Sequence, residues 1–243
     1  MSPSSSDPSP NPFTEQSSGE VSSLRRTLEP ESMDSQLEVD EYLAMGHDQV
    51  NQAFVSDLIG GGPVGPRVID LGCGTAAIPV LLCQQDSDAH VTGIDSSIEM
   101  LEAARIEIEL GGVTGRIHLE HADCKTLDGY GAGIADTVIS NTVLHHLAEP
   151  QQMIAAAIRI LRPGGRLFLR DLFRPKNSEA IEQLVDSHAR AESDYAKQLL
   201  RQSLHAALTA HEIREILASF EVPGDAVQLT SDRHWTIDWT LPV

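Results

Sequence analysis

Apolar residues recur three or four positions apart between Leu37 and Leu58, at Val39, Leu43, Val50, Phe54, Val55 and Leu58. That spacing predicts one or two helices, ended by Gly60-Gly61-Gly62-Pro63. Past this stop the period changes. Short β-branched runs at Arg67 to Leu71, Val91 to Ile94, Ile117 to Glu120, Thr137 to Ser140 and Arg166 to Asp171 alternate with helical patterns near Ala76 to Gln84, Ile98 to Leu110 and Pro150 to Leu161. A βαβα rhythm of this kind predicts a parallel sheet with helices on both faces. A mainly helical stretch from Ser178 to Phe220 follows, then two more strand candidates at Val227 to Thr230 and His234 to Leu241. Within that helical stretch, Thr209 just ahead of His211-Glu212 has the pattern of an N-cap. Ser231 to Trp235 is expected to be a structural edge leading into the last strand. The chain contains no internal repeat.

Composition narrows the picture. Residues 1–35 are rich in Ser, Pro and acidic side chains and poor in large apolar ones. Such a stretch buries too little surface to offset its ordering entropy and is expected to be a disordered tail. The remainder, 36–243, is long enough for one well-buried α/β domain without disulfides or structural metal. Seventeen Lys and Arg against 36 Asp and Glu give a formal charge of −19, which repels a polyphosphate backbone and makes nucleic acid an unexpected substrate. The three cysteines, Cys73, Cys83 and Cys124, are odd in number and lack CxxC spacing, pointing to neither a disulfide framework nor a zinc site and fitting a reducing cytoplasm. No apolar run approaches the roughly 18 residues of a membrane span, and the N-terminus lacks the basic and apolar regions of an export signal.

Candidate chemistry gathers at the ends of the predicted strands, where open parallel sheets bind ligands. The first strand runs into Asp70-Leu71-Gly72-Cys73-Gly74-Thr75. Two glycines there let the backbone turn sharply and approach a ligand, ahead of a helix with free N–H groups. Gly72-x-Gly74-x-x-Ala77 also satisfies a relaxed dinucleotide fingerprint, so the glycines alone leave the nucleotide open. Asp70 favours a ligand carrying an ammonium group over a pyrophosphate. The second strand ends in Asp95-Ser96, with Asp95 placed 21 residues beyond Gly74 to accept from ribose hydroxyls. The third ends in Ala122-Asp123, the fourth in Asn141 followed by His145-His146, and the fifth is announced by Leu161-Arg162-Pro163-Gly164-Gly165.

As an ordered set over residues 66–172 these motifs resemble the class I S-adenosylmethionine-dependent methyltransferases, in particular the type 11/12-like small-molecule branch that includes ubiquinone and menaquinone methyltransferases. The resemblance implies a Rossmann-like, doubly wound sheet of seven mostly parallel strands with a C-terminal antiparallel hairpin. It implies S-adenosylmethionine as cofactor, S-adenosylhomocysteine as product and a small-molecule acceptor. Residue by residue, Asp70, Gly72, Cys73 and Gly74 would hold the methionine part, Asp95 with Ser96 the ribose, and Ala122 with Asp123 the adenine, while Asn141 would line the pocket near the sulfonium. Ala76 departs from the family, which usually has Gly there; its methyl group is harmless in a helical backbone and otherwise narrows the pocket. The segment 36–60 would form a helical lid and 173–220 a helical insertion over the acceptor.

Methyl transfer from a sulfonium is an in-line displacement in which a general base is optional. His145, Asp171 and His47 are the catalytic candidates, with Arg170 as an orienting cation. His146, Tyr42, Met45 and Asn51 are further pocket candidates. Helix packing, and for Asp171 pairing with Arg170 or Arg174, are the structural alternatives. No metal is expected, because adjacent histidines on one turn should diverge. Two other readings remain: a protein that binds S-adenosylmethionine without methylating, and an NAD-dependent oxidoreductase.

Overall fold

The computed structural model describes residues 24–29, Val39 and 46–243. Helix α1 (Asp48–Gly60) precedes β1 (Arg67–Leu71), α2 (Ala77–Gln85), β2 (His90–Asp95), α3 (Ile98–Leu110), β3 (Ile117–His121) and β4 (Ala135–Asn141). A 3₁₀ turn (Leu144–His146), α4 (Pro150–Ile160) and β5 (Leu161–Leu172) follow. Three helices, α5 (Ser178–His188), α6 (Asp194–Ala206) and α7 (Ala210–Ala218), lead to a second 3₁₀ turn (Gly224–Ala226), β6 (Val227–Leu229) and β7 (His234–Thr240). The seven strands lie in the order β3-β2-β1-β4-β5-β7-β6. The first five are parallel, whereas β7 runs antiparallel to both β5 and β6, so the expected hairpin closes one edge. Strand order reverses between β2-β1 and β4, which leaves the crevice beyond the C-terminal ends of β1 and β4.

Alternation along the strands explains why both faces are covered. Ile69, Leu71, Val138, Leu167 and Leu169 face a core with Met153 and Ile154 of α4 and Ile213 and Leu217 of α7. Their neighbours Val68, Ile139 and Phe168 face the other core, with Phe54 and Leu58 of α1, Leu82 of α2 and Ala104 of α3. A period of two splits each strand between the two layers. Arg166 ties α1 to the sheet, donating to the carbonyls of Leu58 and Gly62 at 2.8 and 3.2 Å while its fork grips Asp238 at 2.7 Å. These bonds satisfy carbonyls at the C-terminus of α1, beside the glycines read as its stop.

Two sequence expectations change. Residues 24–29 belong to the stretch read as a disordered tail, yet they lie against the domain. Arg26 Nε donates to Ala206 O at 2.6 Å, and its NH2 donates to His145 O and Leu147 O at 3.1 and 2.9 Å. Arg174 Nε holds Leu24 O at 3.0 Å. Arginine hydrogen bonds supply order here, together with Leu24, which packs against the small core around Leu172 and Leu204. Residues 1–23 and 30–38 lie outside the described residues. The stretch 173–220 also divides: α5 and α6 share a small core of Leu172, Ile181, Val185 and Leu204, whereas α7 packs into the main core. Thr209 caps α7 in a full capping box with Glu212, as its spacing predicted.

Candidate active site

At the end of β1 the chain turns through Gly72 at φ +72° and Gly74 at φ +52°. A Cβ on Gly72 would run into Val143 Cγ2, so this position admits no side chain. Around Gly74 there is open space, and nothing lies within 4 Å of where its Cβ would be. The turn is pinned from below, with Gly72 N and Cys73 N both donating to Ile94 O at 2.8 and 3.0 Å. Cys73 is buried, and its sulfur packs toward Gly93.

Asp95 completes this turn from β2. Its Oδ2 accepts from Gly74 N at 2.8 Å and its Oδ1 from Ser97 N at 2.9 Å. Burial raises its pKa, and those backbone N–H groups pull in the other direction. Asp70 lies 3% exposed beneath the same turn, and burial, with Asp95 adding repulsion, lifts its carboxyl to about 8. An unpaired buried carboxyl held near neutrality is suited to gaining a cationic partner. Ser96 is exposed, and its carbonyl accepts from His121 Nε2 at 2.9 Å. Ala122 N donates to Asp95 O at 3.1 Å, placing the start of the next loop beside the turn, and Asp123 stands exposed with Oδ1 accepting from Lys125 N.

Past Asn141 lies a cavity of about 420 Å³ walled largely by α6, with His188 at the end of α5. Asn141 lines it, and its Oδ1 is buried without a hydrogen-bond partner. Thr142, the next residue, sits at φ +57° and turns the chain toward the histidines. His145 is 3% exposed and lies between two carboxylates: Asp171 Oδ1 is 2.5 Å from Nδ1, and Glu29 Oε1 is 3.1 Å from Nε2. Burial alone would lower its pKa, but Asp171 and Glu29 outweigh it and raise the ring to about 9. His47 lines the cavity as well; burial, then Arg233, lowers its pKa, keeping it neutral at pH 7. Asn51, another pocket candidate, also lines the cavity.

Several expectations are revised. Asp171 is 1% exposed and pairs with His145, not with Arg170 or Arg174, which reach Asp57 and Glu212 instead. Arg170 thus ties β5 to α1 through Asp57. Adjacent histidines do not diverge: the His145 and His146 rings stack with centroids 4.2 Å apart and 33° between planes. Arg233 and His234, read as a structural edge, line the cavity. Tyr42 and Met45 lie outside the described residues. Ala76 takes neither form foreseen for it: its backbone is left-handed at φ 60°, ψ 21°, and its methyl group is buried in the α1 and α2 core, away from the crevice. Glu29 escaped the sequence reading altogether, because a lone glutamate in a Ser/Pro-rich stretch carries no local signal of a partner more than a hundred residues away.

Comparison with known proteins agrees with this layout. A methyltransferase domain family model matches residues 64–221. The ubiquinone biosynthesis O-methyltransferase of Psychrobacter arcticus is 29% identical over 165 residues, covering 63% of this chain and 62% of the relative. The 27-O-demethylrifamycin SV methyltransferase of Amycolatopsis mediterranei is 34% identical over 118 residues, covering 49% and 43%. The matches thus span less than two thirds of these relatives. Among solved structures, an S-adenosylmethionine-dependent methyltransferase from Aquifex aeolicus aligns with a TM-score of 0.61 at 11% identity, over 86% of this chain and all of the other. The plantazolicin methyltransferase BpumL, solved with S-adenosylhomocysteine and a triazolic desmethylPZN analog, aligns at 0.60 and 16% identity, over 80% and 84%. With the model match spanning most of the chain, and the glycine turn, Asp95 and the seven-stranded order all in place, the protein belongs to the methyltransferase domain family.

Proposed function

We propose that this chain transfers the methyl group of S-adenosylmethionine to a small molecule held in the 420 Å³ cavity. Asn141 carries the reading: it ends β4 beside β1, and its Oδ1 is buried and unpartnered on a residue that lines the cavity, where cofactor and acceptor would come together. The open space over Gly74 and the raised pKa of Asp70 fit an adenosyl ligand with an ammonium group. Asp70, Gly72, Gly74, Asp95, Ser96, Ala122, Asp123, the backbone of Cys73 and Asn141 would hold it. That ligand supplies a methyl group on an already activated sulfonium. The protein's task is then to align the acceptor and exclude water. Neutral His47 can take a proton from the acceptor, and His145, held in orientation by Asp171, can stabilise the negative charge left behind.

The domain spans 36–243 in this reading, with 36–60 as the lid over the cavity mouth and α5 and α6 as the acceptor roof. Among the described residues no helix is long and apolar enough to cross a membrane. The charge of −19 argues against a nucleic-acid acceptor. Cys73, Cys83 and Cys124 are free thiols, which suits a cytoplasmic location. A [4+2]-cyclase shares the fold at a TM-score of 0.52, so fold alone does not choose methylation over binding without transfer. The deciding experiment is isothermal titration with S-adenosylmethionine and S-adenosylhomocysteine, followed by S-adenosylhomocysteine detection with a panel of hydroxylated and amine acceptors. Binding and acceptor-dependent product are expected. Failure to bind either ligand would refute the proposal, and binding without product across the panel would favour the non-transferring reading.

A further inference from the structure

The inner wall of the cavity gathers three donors from two distant stretches of chain. Glu29 Oε1 lies 3.1 Å from His145 Nε2 and 3.3 Å from His146 Nδ1. All three ligand-capable atoms fall within 4.8 Å of one another. We propose that Glu29, His145 and His146 bind a divalent transition-metal ion, zinc by its donor set, on the wall of the acceptor cavity.

Spacing is the first argument. Around a four-coordinate ion with bonds of roughly 2.1 Å, neighbouring ligand atoms stand about 3.4 Å apart, close to both Glu29 separations. The stacked histidine rings bring their third edge within range of a small rotation of His146, whose side chain is 22% exposed.

The surroundings of the donors are the second. His145 turns its other nitrogen to Asp171, whose Oδ2 also accepts from the His145 backbone N–H at 3.1 Å and whose Oδ1 accepts from Leu172 N at 2.6 Å. A carboxylate fixed in this way keeps Nδ1 protonated, so an ion would have only the Nε2 proton to displace, the usual outer support of a metal-bound histidine. The second oxygen of Glu29 accepts from Ser203 Oγ at 3.3 Å. Arg26, three residues before Glu29, anchors that stretch to the carbonyls of His145, Leu147 and Ala206.

Charge is the third. The carboxylates of Glu29 and Asp171 are 6% and 1% exposed on opposite sides of one imidazole, and a doubly charged ion that displaces the Nε2 proton would balance both in place of the imidazolium. Two imidazoles and one carboxylate suit zinc better than magnesium or calcium. The remaining coordination position opens to the cavity, as in zinc sites that bind a small molecule. A hydroxyl or carboxylate oxygen of the acceptor is the ligand that position would take. The site goes beyond methyl transfer and does not depend on it.

The test uses the full chain, free of any affinity tag and stripped with a chelator, titrated calorimetrically with zinc chloride. One equivalent should bind with a Kd at or below about 1 µM. Glu29→Gln and His146→Ala should each weaken binding at least tenfold, and Asp171→Asn roughly ten- to a hundredfold. Circular dichroism and the thermal midpoint check that each variant folds. Cobalt(II) in the wild-type protein should give the visible absorption of a tetrahedral site, a readout that needs no variant. Absence of stoichiometric zinc, or binding unaffected by Glu29→Gln and His146→Ala, overturns the proposal. S-adenosylhomocysteine is titrated separately: its binding without zinc defeats the metal site alone, and zinc without it defeats the methyl-transfer reading alone.

Discussion

Asp70 is a buried carboxyl beneath the glycine turn, with Asp95 adding repulsion. Its carboxyl is raised to about 8 against an ordinary value of 3.8, so the folded protein without ligand favours the neutral form. The stability this gives is complete below pH 4 and is lost as pH rises through 8. A ligand ammonium requires the ionised form. Affinity for S-adenosylhomocysteine is therefore expected to rise with pH, by about tenfold per unit below 8, with proton release on binding. Titrations at pH 6, 7 and 8 in buffers of different ionisation enthalpy check this, and Asp70→Asn should bind weakly with a flat profile. A pH-independent wild-type affinity would remove Asp70 from the ligand's surroundings.

Ala76 is a second residue-scale case. The sequence shows where it departs from the family but not its φ of 60°, which is a property of the closed turn. A left-handed alanine costs about 1–2 kcal/mol relative to glycine, while its buried methyl group contributes roughly 0.8 kcal/mol. Ala76→Gly should thus change unfolding free energy by less than about 1 kcal/mol, whereas Ala76→Val, β-branched in a left-handed backbone, should cost about 2 kcal/mol or more. Urea denaturation of the two variants separates these outcomes.

At the scale of elements, strands and helices of the βα units were legible because each is fixed by a local period and a local stop. The segment 24–29 was not. Its placement depends on Arg26 reaching Ala206 and, 119 residues away, His145. Arg26→Ala leaves three carbonyls without that donor and should lower unfolding free energy by about 1–3 kcal/mol. It should also expose the bonds around Thr27 to limited proteolysis well before the core is cut, with Arg26→Lys restoring part of the protection. Equal protease resistance in wild type and Arg26→Ala would show that other contacts hold the segment. The division of 173–220 was hidden for a related reason. The helices α5, α6 and α7 are similarly amphipathic, and only their partners distinguish a roof over the cavity from a layer of the main core.

Across the whole molecule the charge of −19 acts through self-repulsion. Raising sodium chloride from about 0.05 to about 0.5 M should lift the thermal midpoint by a few degrees, since the Debye length shrinks several-fold over that range. Differential scanning fluorimetry measures it. A midpoint that falls with salt would mean that attractive pairs such as Arg166 with Asp238 and Arg170 with Asp57 outweigh the net repulsion. The sequence by itself determined the alternation of strands and helices behind the parallel sheet and the residues at the strand ends, because periodicity, glycine turns and caps are interactions among near neighbours; the closing hairpin came from the family resemblance. Tertiary structure alone decided that Glu29 meets His145 and His146, that Asp171 supports His145 and not an arginine, and that Arg233 and His234 line the cavity. Those contacts join residues far apart in the chain, and nothing in a local pattern records which distant side chain a folded core will bring into reach.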